Sequence, residues 1–348
     1  MRASVKGRAR GTLLGLAIGD ALGMPTQGLP RELIAKRYGI LQGFRAAPDD
    51  NPISHGLPAG RVTDDTDQAV IVGRLLIEGR GHINPVAFAS ALLTWEKRMM
   101  EVGSLDLLGP STRRALSLVA QGVPAHLAGR NGSTNGAAMR VAPVGIAYAH
   151  EPIEALIDAV VQSCHLTHNT TIGIAGAAAV AAAVSAGIGG SSVGEALRFA
   201  VEGARLGARR GFYYAGADVA ARIIYALDLV RGRVAEESLH LIYSLVGTSV
   251  MTQEAVPAAL AICAVAPTDP WLACRLAASL GGDCDTVAAI AGAILGACHG
   301  DAFPRHALEA LHAANPGLGL EALADALLAL RQAGPKRSVA VPFEEQAP

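Results

Sequence analysis

Apolar residues recur every three to four positions along most of the chain, with alanine and glycine between many of them. This spacing matches the turn of an α-helix, whereas the alternating β-branched runs that are typical of strands are almost absent. The predicted helices cover residues 11–22, 65–78, 85–98, 111–121, 153–163, 170–186, 193–203, 217–230, 238–245, 254–264, 271–280, 286–299 and 320–331. The polar stretches 42–61 and 129–139 interrupt the pattern and are predicted to be surface loops available for ligand contacts. We therefore expect an all-α protein.

The composition favours one compact helical bundle. Of the 348 residues, 51% are hydrophobic but only 4% are aromatic, and small apolar residues such as alanine allow helices to approach closely. Because no shift in composition marks a boundary, we predict a single domain over residues 1–334. Segment 335–348 is rich in proline and charge, has little to bury, and is predicted to be a surface or disordered tail.

The net charge, the cysteines and the apolar runs argue against nucleic acid or membrane partners, disulfide bonds and membrane-spanning helices. A net charge of −1 provides no basic field for a nucleic acid polymer or an anionic membrane. Five cysteines without CxxC pairs indicate reduced thiols. The alanine-rich runs 174–188 and 287–297 are too short or too weakly apolar to cross a bilayer, and are predicted to be core helices. Gly19-Asp20 interrupts the apolar start and no cleavage site follows, so a cytoplasmic protein is predicted.

Two acidic clusters carry the strongest chemical signal. Thr63-Asp64-Asp65-Thr66 precedes one predicted helix, and Asp283-Cys284-Asp285-Thr286 precedes another. Carboxylate and hydroxyl oxygens are the ligands that hard divalent cations prefer, and two such clusters suit a pair of ions. Each cluster alone is also explained as a helix cap. Together they predict one metal site and metal-assisted chemistry.

The second cluster also matches a haloacid-dehalogenase-like phosphatase, in which the first aspartate of an Asp-x-Asp-x-Thr stretch follows a buried strand and is phosphorylated. Here residues 276–280, LAASL, form a helical pattern instead. We rank this alternative third, because it requires a strand before Asp283.

Three further segments are candidates for ligand contacts. Segment 19–27 closes the first helix and continues as a polar loop, and it contains Asp20 and Gln27. Its simpler explanation is a helix C-terminus followed by an ordinary surface turn. The stretch 131–140, NGSTNGAAMR, is rich in small residues whose backbone N–H groups can surround a phosphate. His165 and His168 precede a small-residue helix, and either is also explained as a structural histidine. His168 is the preferred contact.

These segments, in this order, resemble the ADP-ribosylglycohydrolase family over about residues 8–299. The resemblance is carried jointly by Gly-Asp-Ala-Leu-Gly, Thr-Asp-Asp-Thr, Asn-Gly-Ala-Ala-Met-Arg, the Thr-His step and Gly-Gly-Asp-Cys-Asp-Thr. It implies a single orthogonal helical bundle and hydrolysis of an N- or O-glycosidic bond at the anomeric carbon of an ADP-ribosyl group. The implied substrate is an ADP-ribosylated protein or a small ADP-ribosyl or ribosyl compound.

The resemblance also implies roles for individual residues. Two divalent cations, Mg²⁺ or Mn²⁺, would be held by Thr63, Asp64, Asp65, Asp283, Asp285 and Thr286. The acids with catalytic roles would be Asp64, Asp65 and Asp285, with Asp64 or Asp285 orienting or deprotonating the water. The substrate would be bound by Asp20, Gln27, Gly132, Ser133, Asn135, Gly136, Ala137 and His168.

One departure from the family pattern concerns Gln27, where related enzymes commonly have glutamate. An amide can form hydrogen bonds but cannot serve as a carboxylate base. This favours two alternatives, a hydrolase of small ribosyl nucleosides or nucleotides, and a catalytically silent binding or structural relative. The silent alternative is opposed by the retention of all six implied ligands, because clustered carboxylates repel one another unless cations neutralise them.

Overall fold

A computed structural model describes residues 3–105, 107–300 and 302–334. The predicted tail 335–348 lies outside the described residues. In the described part of the chain the helices are α1 Val5–Gly23, α2 Arg31–Tyr38, α3 Asp64–Glu78, α4 Pro85–Glu101, α5 Pro110–Ala120, α6 Ala125–Ala128, α7 Gly136–Met139, α8 Ala142–Ala147, α9 Ile153–Cys164, α10 Thr171–Gly189, α11 Val193–Gly207, α12 Val219–Val230, α13 Ala235–Leu241, α14 Thr252–Val265, α15 Pro270–Ala278, α16 Cys284–His299, α17 Arg305–Ala314 and α18 Leu320–Ala333. A π-helical turn, Ile242–Val246, follows α13.

The all-α prediction is confirmed. Within the described ranges no strand is present, and β-type pairing is limited to two isolated bridges. The segment before Asp283 is α15, a helix, which removes the structural basis of the phosphatase alternative. Five helices were not predicted, namely α2, α6, α7, α8 and α17. Three of them are four to six residues long, too short to show a helical period, and α2 buries a single residue, Ile34.

Helices α1 and α16 pack with their backbones almost in contact. Gly11, Gly15, Gly19 and Gly23 follow one another at a spacing of four and line one face of α1. A Cβ atom at Gly19 would lie 2.0 Å from the Ala288 carbonyl oxygen of α16, closer than any real Cβ contact. These glycines therefore allow the start of α16 to lie directly against the end of α1.

Helix α10 lies at the centre of the bundle and packs against α11, α16, α8, α7 and α9. By length and composition it is the one helix in the described residues that is long and apolar enough to cross a membrane, and 94% of its apolar window is buried inside the protein. The run 174–188 is accordingly part of a core helix, as predicted. The expectation that it is too short or too weakly apolar to cross a bilayer is wrong, because α10 extends beyond the run at both ends, and burial is what identifies it as core. All five cysteines are free and buried, and burial raises the pKa of Cys164 to about 12, which keeps this thiol protonated.

Candidate active site

The first acidic cluster is held in place by an aspartate from α1. Asp20 is fully buried, and its carboxylate accepts hydrogen bonds from the backbone N–H groups of Thr63 at 3.0 Å and Thr66 at 3.1 Å. A carboxylate at the N-terminus of a helix accepts hydrogen bonds from its free N–H groups and interacts favourably with the helix dipole. The sequence predicted Asp20 near the end of the first helix, with a role in substrate binding. The structure confirms its place in α1 and shows that it fixes the start of α3, while contact with a substrate stays a prediction.

The second cluster begins α16 and is positioned by two glycines with left-handed backbone. Gly281 has φ +89° and Gly282 has φ +72°. Residues with a Cβ atom rarely adopt these backbone angles. A Cβ at Gly282 would lie 2.4 Å from the Thr248 carbonyl oxygen, and that same oxygen accepts a hydrogen bond from the Asp283 N–H at 2.7 Å. The glycine pair thus lets the chain turn tightly before α16.

The two clusters lie far apart in the chain, with Asp65 and Thr286 separated by 221 residues, but they meet at one point. The Thr286 hydroxyl donates to Asp65 Oδ2 at 3.2 Å, linking the start of α16 to the start of α3. Asp65 Oδ1 is buried without a hydrogen-bond partner in the described residues. Burial, followed by the nearby charges of Asp285 and Asp64, raises the pKa of Asp65 well above its ordinary value. The site is therefore an electrostatically unfavourable collection of carboxylates in the form described.

Exposure differs among the four acids. Asp65 and Asp285 are buried, with 1% and 2% of their surface accessible, whereas Asp64 and Asp283 are half-buried. Asp64 and Asp283 therefore form the open edge of the cluster, and Asp65 and Asp285 form its floor.

The types of donor atom at this site fit a divalent cation, although the side chains are not arranged as a complete set of ligands. All the side-chain donors are hard oxygens, which magnesium and manganese prefer. Asp65 Oδ1 is a buried acceptor without a partner, and such an atom is costly unless something binds it. Across the described residues, however, no group of three or more His, Cys, Asp or Glu side chains is already positioned to hold an ion.

The glycine-rich loop lies next to the second cluster. Asn135 donates a hydrogen bond from its side-chain amide to Asp283 Oδ2, and its own backbone N–H donates to the Val250 carbonyl at 2.9 Å. The Thr252 hydroxyl anchors the loop further by donating to the Ser133 carbonyl at 2.9 Å. Asn135 therefore orients Asp283, a role that the sequence did not predict.

The glycines of the loop are required because residues 167 and 168 pack closely against its backbone. A Cβ at Gly132 would lie 2.0 Å from the Thr167 carbonyl oxygen, and one at Gly136 would lie 3.0 Å from His168 Cε1. Gly136 and Ala137 begin α7 and are buried. The N–H of Gly132 already donates to the Gly129 carbonyl at 3.1 Å. The predicted phosphate cradle is therefore partly used for internal hydrogen bonds, and Gly132 serves packing.

His168 lies beneath the loop rather than at its surface. It is fully buried; its Nε2 atom lies 3.0 Å from the Thr134 hydroxyl, and its Nδ1 atom lies 2.8 Å from the Thr167 hydroxyl. Burial, together with the nearby Arg140, lowers the pKa of His168 well below its ordinary value, so the ring is neutral. In the structure His168 supports the loop through these two hydroxyl contacts, and its contact with the nucleotide stays a prediction.

We expect His168→Ala to destabilise the protein by about 3 kcal/mol, because it opens a cavity and leaves two buried threonine hydroxyls without their partner. Thermal unfolding would measure the change. His55→Ala, at an exposed loop histidine, is the control and should unfold at the wild-type temperature. Equal unfolding temperatures for all three proteins would contradict the supporting role.

Gln27 is buried in the loop that follows α1. Its side-chain amide donates to the Ser54 hydroxyl, and its backbone carbonyl accepts from the Asn51 amide at 3.0 Å. Asn51 in turn accepts from the backbone N–H of Ser54 at 2.8 Å. The predicted surface loop 42–61 therefore folds over Gln27, and Asn51 and Ser54 are residues of this region that the sequence did not reveal.

The chain matches the family model for ADP-ribosylglycohydrolase over residues 1–337. It is 35% identical over 294 residues to the uncharacterized protein YegU of Escherichia coli K12, a match that covers 84% of this chain and 88% of YegU. A solved structure described as an ADP-ribosylglycohydrolase-related protein complex superposes with a TM-score of 0.64 at 28% identity, over 94% of this chain and 99% of that one.

A shorter match reaches a relative named for its activity. The chain is 32% identical over 167 residues to the ADP-ribosyl-[dinitrogen reductase] glycohydrolase of Rhodospirillum rubrum, which covers 48% of this chain and 53% of that protein. Taken with the fold and the site, these matches define an all-α hydrolase. The chain belongs to the ADP-ribosylglycohydrolase family, which confirms the resemblance seen in the sequence.

Proposed function

We propose that this protein hydrolyses the bond between the anomeric carbon of an ADP-ribosyl group and a nitrogen or oxygen of the attached molecule, with two divalent cations. The observation that carries the proposal is the meeting of the two acidic clusters at Thr286 and Asp65. Family membership supports the ADP-ribosyl group as the class of substrate.

The cations would be Mg²⁺ or Mn²⁺, held by Thr63, Asp64, Asp65, Asp283, Asp285 and Thr286. When bound, they would hold ribose hydroxyls and a water molecule and lower the pKa of that water. They would also neutralise the carboxylates, whose mutual repulsion is unfavourable in a buried site.

The residues of the chain supply orientation and proton transfer. Asp64 lies at the open edge and is better placed than the buried Asp285 to accept a proton from the attacking water. Asn135 keeps the Asp283 carboxylate turned toward the glycine loop. The loop and the acids are thereby held next to each other, and a ribose and its phosphates would lie against them together.

Release of ADP-ribose from ADP-ribosyl-arginine and ADP-ribosyl-serine peptides tests this proposal. We expect release by the wild type with Mg²⁺ or Mn²⁺, no release after chelation, and a loss of about 100-fold or more in Asp283→Ala. Asp269→Ala is the control, since Asp269 caps α15 and lies outside the site. Release that persists in EDTA would contradict the metal-dependent mechanism.

A second candidate substrate is a small ribosyl nucleoside or nucleotide, and Gln27 favours it. The amide at this position is already a hydrogen-bond donor to Ser54, so it supplies no carboxylate to the site. In Gln27→Glu the Ser54 hydroxyl can reverse its role and donate to the new carboxylate. If the variant releases ADP-ribose from peptides and the wild type does not, the natural substrate belongs to the smaller class.

A further inference from the structure

A single buried arginine lies between the acidic cluster and the glycine loop. Arg140 follows α7 and is fully buried, with its guanidinium 4.9 Å from the centre of the Phe88 ring. Burial lowers its pKa to about 10, so it remains protonated at neutral pH. Because a buried cation is costly unless its N–H groups are bound, its hydrogen-bond partners define its role.

The guanidinium reaches in two directions. Nη1 donates to Gln68 Oε1 at 2.6 Å, and Nη2 donates to the Thr167 hydroxyl at 2.5 Å. Gln68 is on α3 and Thr167 follows α9, so one planar group ties together two separate elements of the bundle. The geometry of a guanidinium suits this double contact better than an ammonium does.

The contact with Gln68 determines how that amide is turned. Arginine has only donors, so Gln68 must present its carbonyl oxygen to Arg140 and its NH₂ group to the opposite side. On that side Gln68 Nε2 donates to Asp64 Oδ2 at 2.7 Å. Arg140 therefore fixes the orientation of the Gln68 amide, whose NH₂ group donates to Asp64.

The contact with Thr167 leads to the glycine loop. The Thr167 hydroxyl lies 2.8 Å from His168 Nδ1, and His168 Nε2 lies 3.0 Å from the Thr134 hydroxyl within the loop. The buried hydrogen bonds thus form a continuous chain from Asp64 to Thr134, with Arg140 as its only charged link between them.

We propose that Arg140 is a positioning residue that aligns Asp64 with the glycine loop, acting through Gln68 on one side and through Thr167 on the other. The inference rests on the proposed function, because it assigns Asp64 to the reaction and the loop to the ADP-ribosyl group. We call the hydrogen bonds from Arg140 through Gln68 to Asp64 the Gln68 branch, and those from Arg140 through Thr167 and His168 to Thr134 the Thr167 branch. The Gln68 branch acts on the rate of the reaction, and the Thr167 branch acts on ligand binding.

Two variants separate the branches. Gln68→Glu keeps the shape and still pairs with Arg140, but has no donor for Asp64, so we expect kcat for ADP-ribose release to fall about 10- to 100-fold. The calorimetric Kd for ADP-ribose should stay within about threefold of the wild type, because the loop branch is intact. Arg140→Lys should lower kcat to a similar extent and also weaken ADP-ribose binding about tenfold, because one ammonium cannot span both partners.

The matched control is Trp95→Phe, which removes a hydrogen bond of 2.8 Å from Trp95 Nε1 to Asp67 in the same first turn of α3. It should keep kcat and Kd within about twofold of the wild type. The positioning role is wrong if Gln68→Glu retains wild-type kcat, or if Trp95→Phe loses as much as Gln68→Glu, which would indicate general destabilisation.

The same experiment distinguishes failure of the positioning role from failure of the proposed function. If the wild type binds ADP-ribose but releases none from any peptide, the proposed reaction is wrong, and the Kd of Arg140→Lys still tests the loop branch. An unchanged Kd would then overturn the inference, and a weakened one would support it. If the wild type neither binds nor releases ADP-ribose, both the function and the inference fail.

Discussion

Asp65→Asn is expected to lower the proposed metal-dependent release of ADP-ribose about 1,000-fold while making the metal-free protein more stable. Asp65 is buried near Asp285 and Asp64, and its Oδ1 atom has no hydrogen-bond partner in the described residues. Without cations its charge is unfavourable, so removing that charge should stabilise the fold by about 1–2 kcal/mol. Unfolding in EDTA and in Mn²⁺, together with the peptide assay, measures both effects.

The control for this variant is Asp67→Asn in the same helical turn. Asp67 accepts a hydrogen bond from Trp95 and lies 3.8 Å from Arg98, so its charge is compensated and lies outside the acidic cluster. We expect it to keep the activity and the stabilisation by Mn²⁺. If Asp65→Asn were less stable than the wild type in EDTA and equally stabilised by Mn²⁺, the cluster would be a set of helix caps and not a metal site.

The expectation that Asp65 lowers stability but supports activity also bears on the alternative of a catalytically silent binding or structural relative. A protein without catalytic demands has no reason to bury Asp65 beside Asp285 and Asp64, since a neutral residue at any of these positions would favour folding. The arrangement is instead typical of functional sites, where groups with strongly shifted pKa values are kept despite their cost.

The two clusters could be predicted to meet because their chemistry is complementary to the same ions, even though nothing in the local pattern places α3 beside α16. The roles of Asp20 and His168 could not be predicted in the same way. Both are polar residues within motifs, and a sequence shows neither whether such a side chain faces a ligand nor whether its partners lie inside the protein. Their partners, the start of α3 and the threonines of the loop, are brought near only by tertiary packing.

Arg140 illustrates a signal that the sequence contained but did not resolve. It ends the Asn-Gly-Ala-Ala-Met-Arg stretch, and Gln68 follows Asp64 by four positions, which places the two on one face of α3. Both facts are visible in the chain. The hydrogen bond from the guanidinium to Gln68 forms because α7 packs near α3. Hydrophobic periodicity does not reveal such a long-range contact.

Gly19→Ala is expected to cost about 3 kcal/mol of stability, because the new methyl group would be placed 2.0 Å from the Ala288 carbonyl oxygen. The neighbour is backbone of α16, so relief requires α1 and α16 to move apart. A Cβ at Gly23, one turn along, would lie 2.3 Å from Asp285 Cα, so the acidic cluster is supported by the same packed face. We therefore expect both the unfolding temperature and the stabilisation by Mn²⁺ to fall in this variant.

Gly194→Ala is the matched control. Gly194 is also in a helix, α11, but a Cβ there would have nothing within 4 Å, so alanine should be neutral or stabilise by about 0.5–1 kcal/mol through its higher helix propensity. A helix-propensity effect alone would shift the two variants in the same direction. Opposite shifts, with loss of the Mn²⁺ response in Gly19→Ala alone, are expected if close packing of α1 on α16 is what places Asp285 beside Asp65. Parallel shifts, or a Gly19→Ala protein that retains the full Mn²⁺ response, would show that the glycine face is not required to build the site.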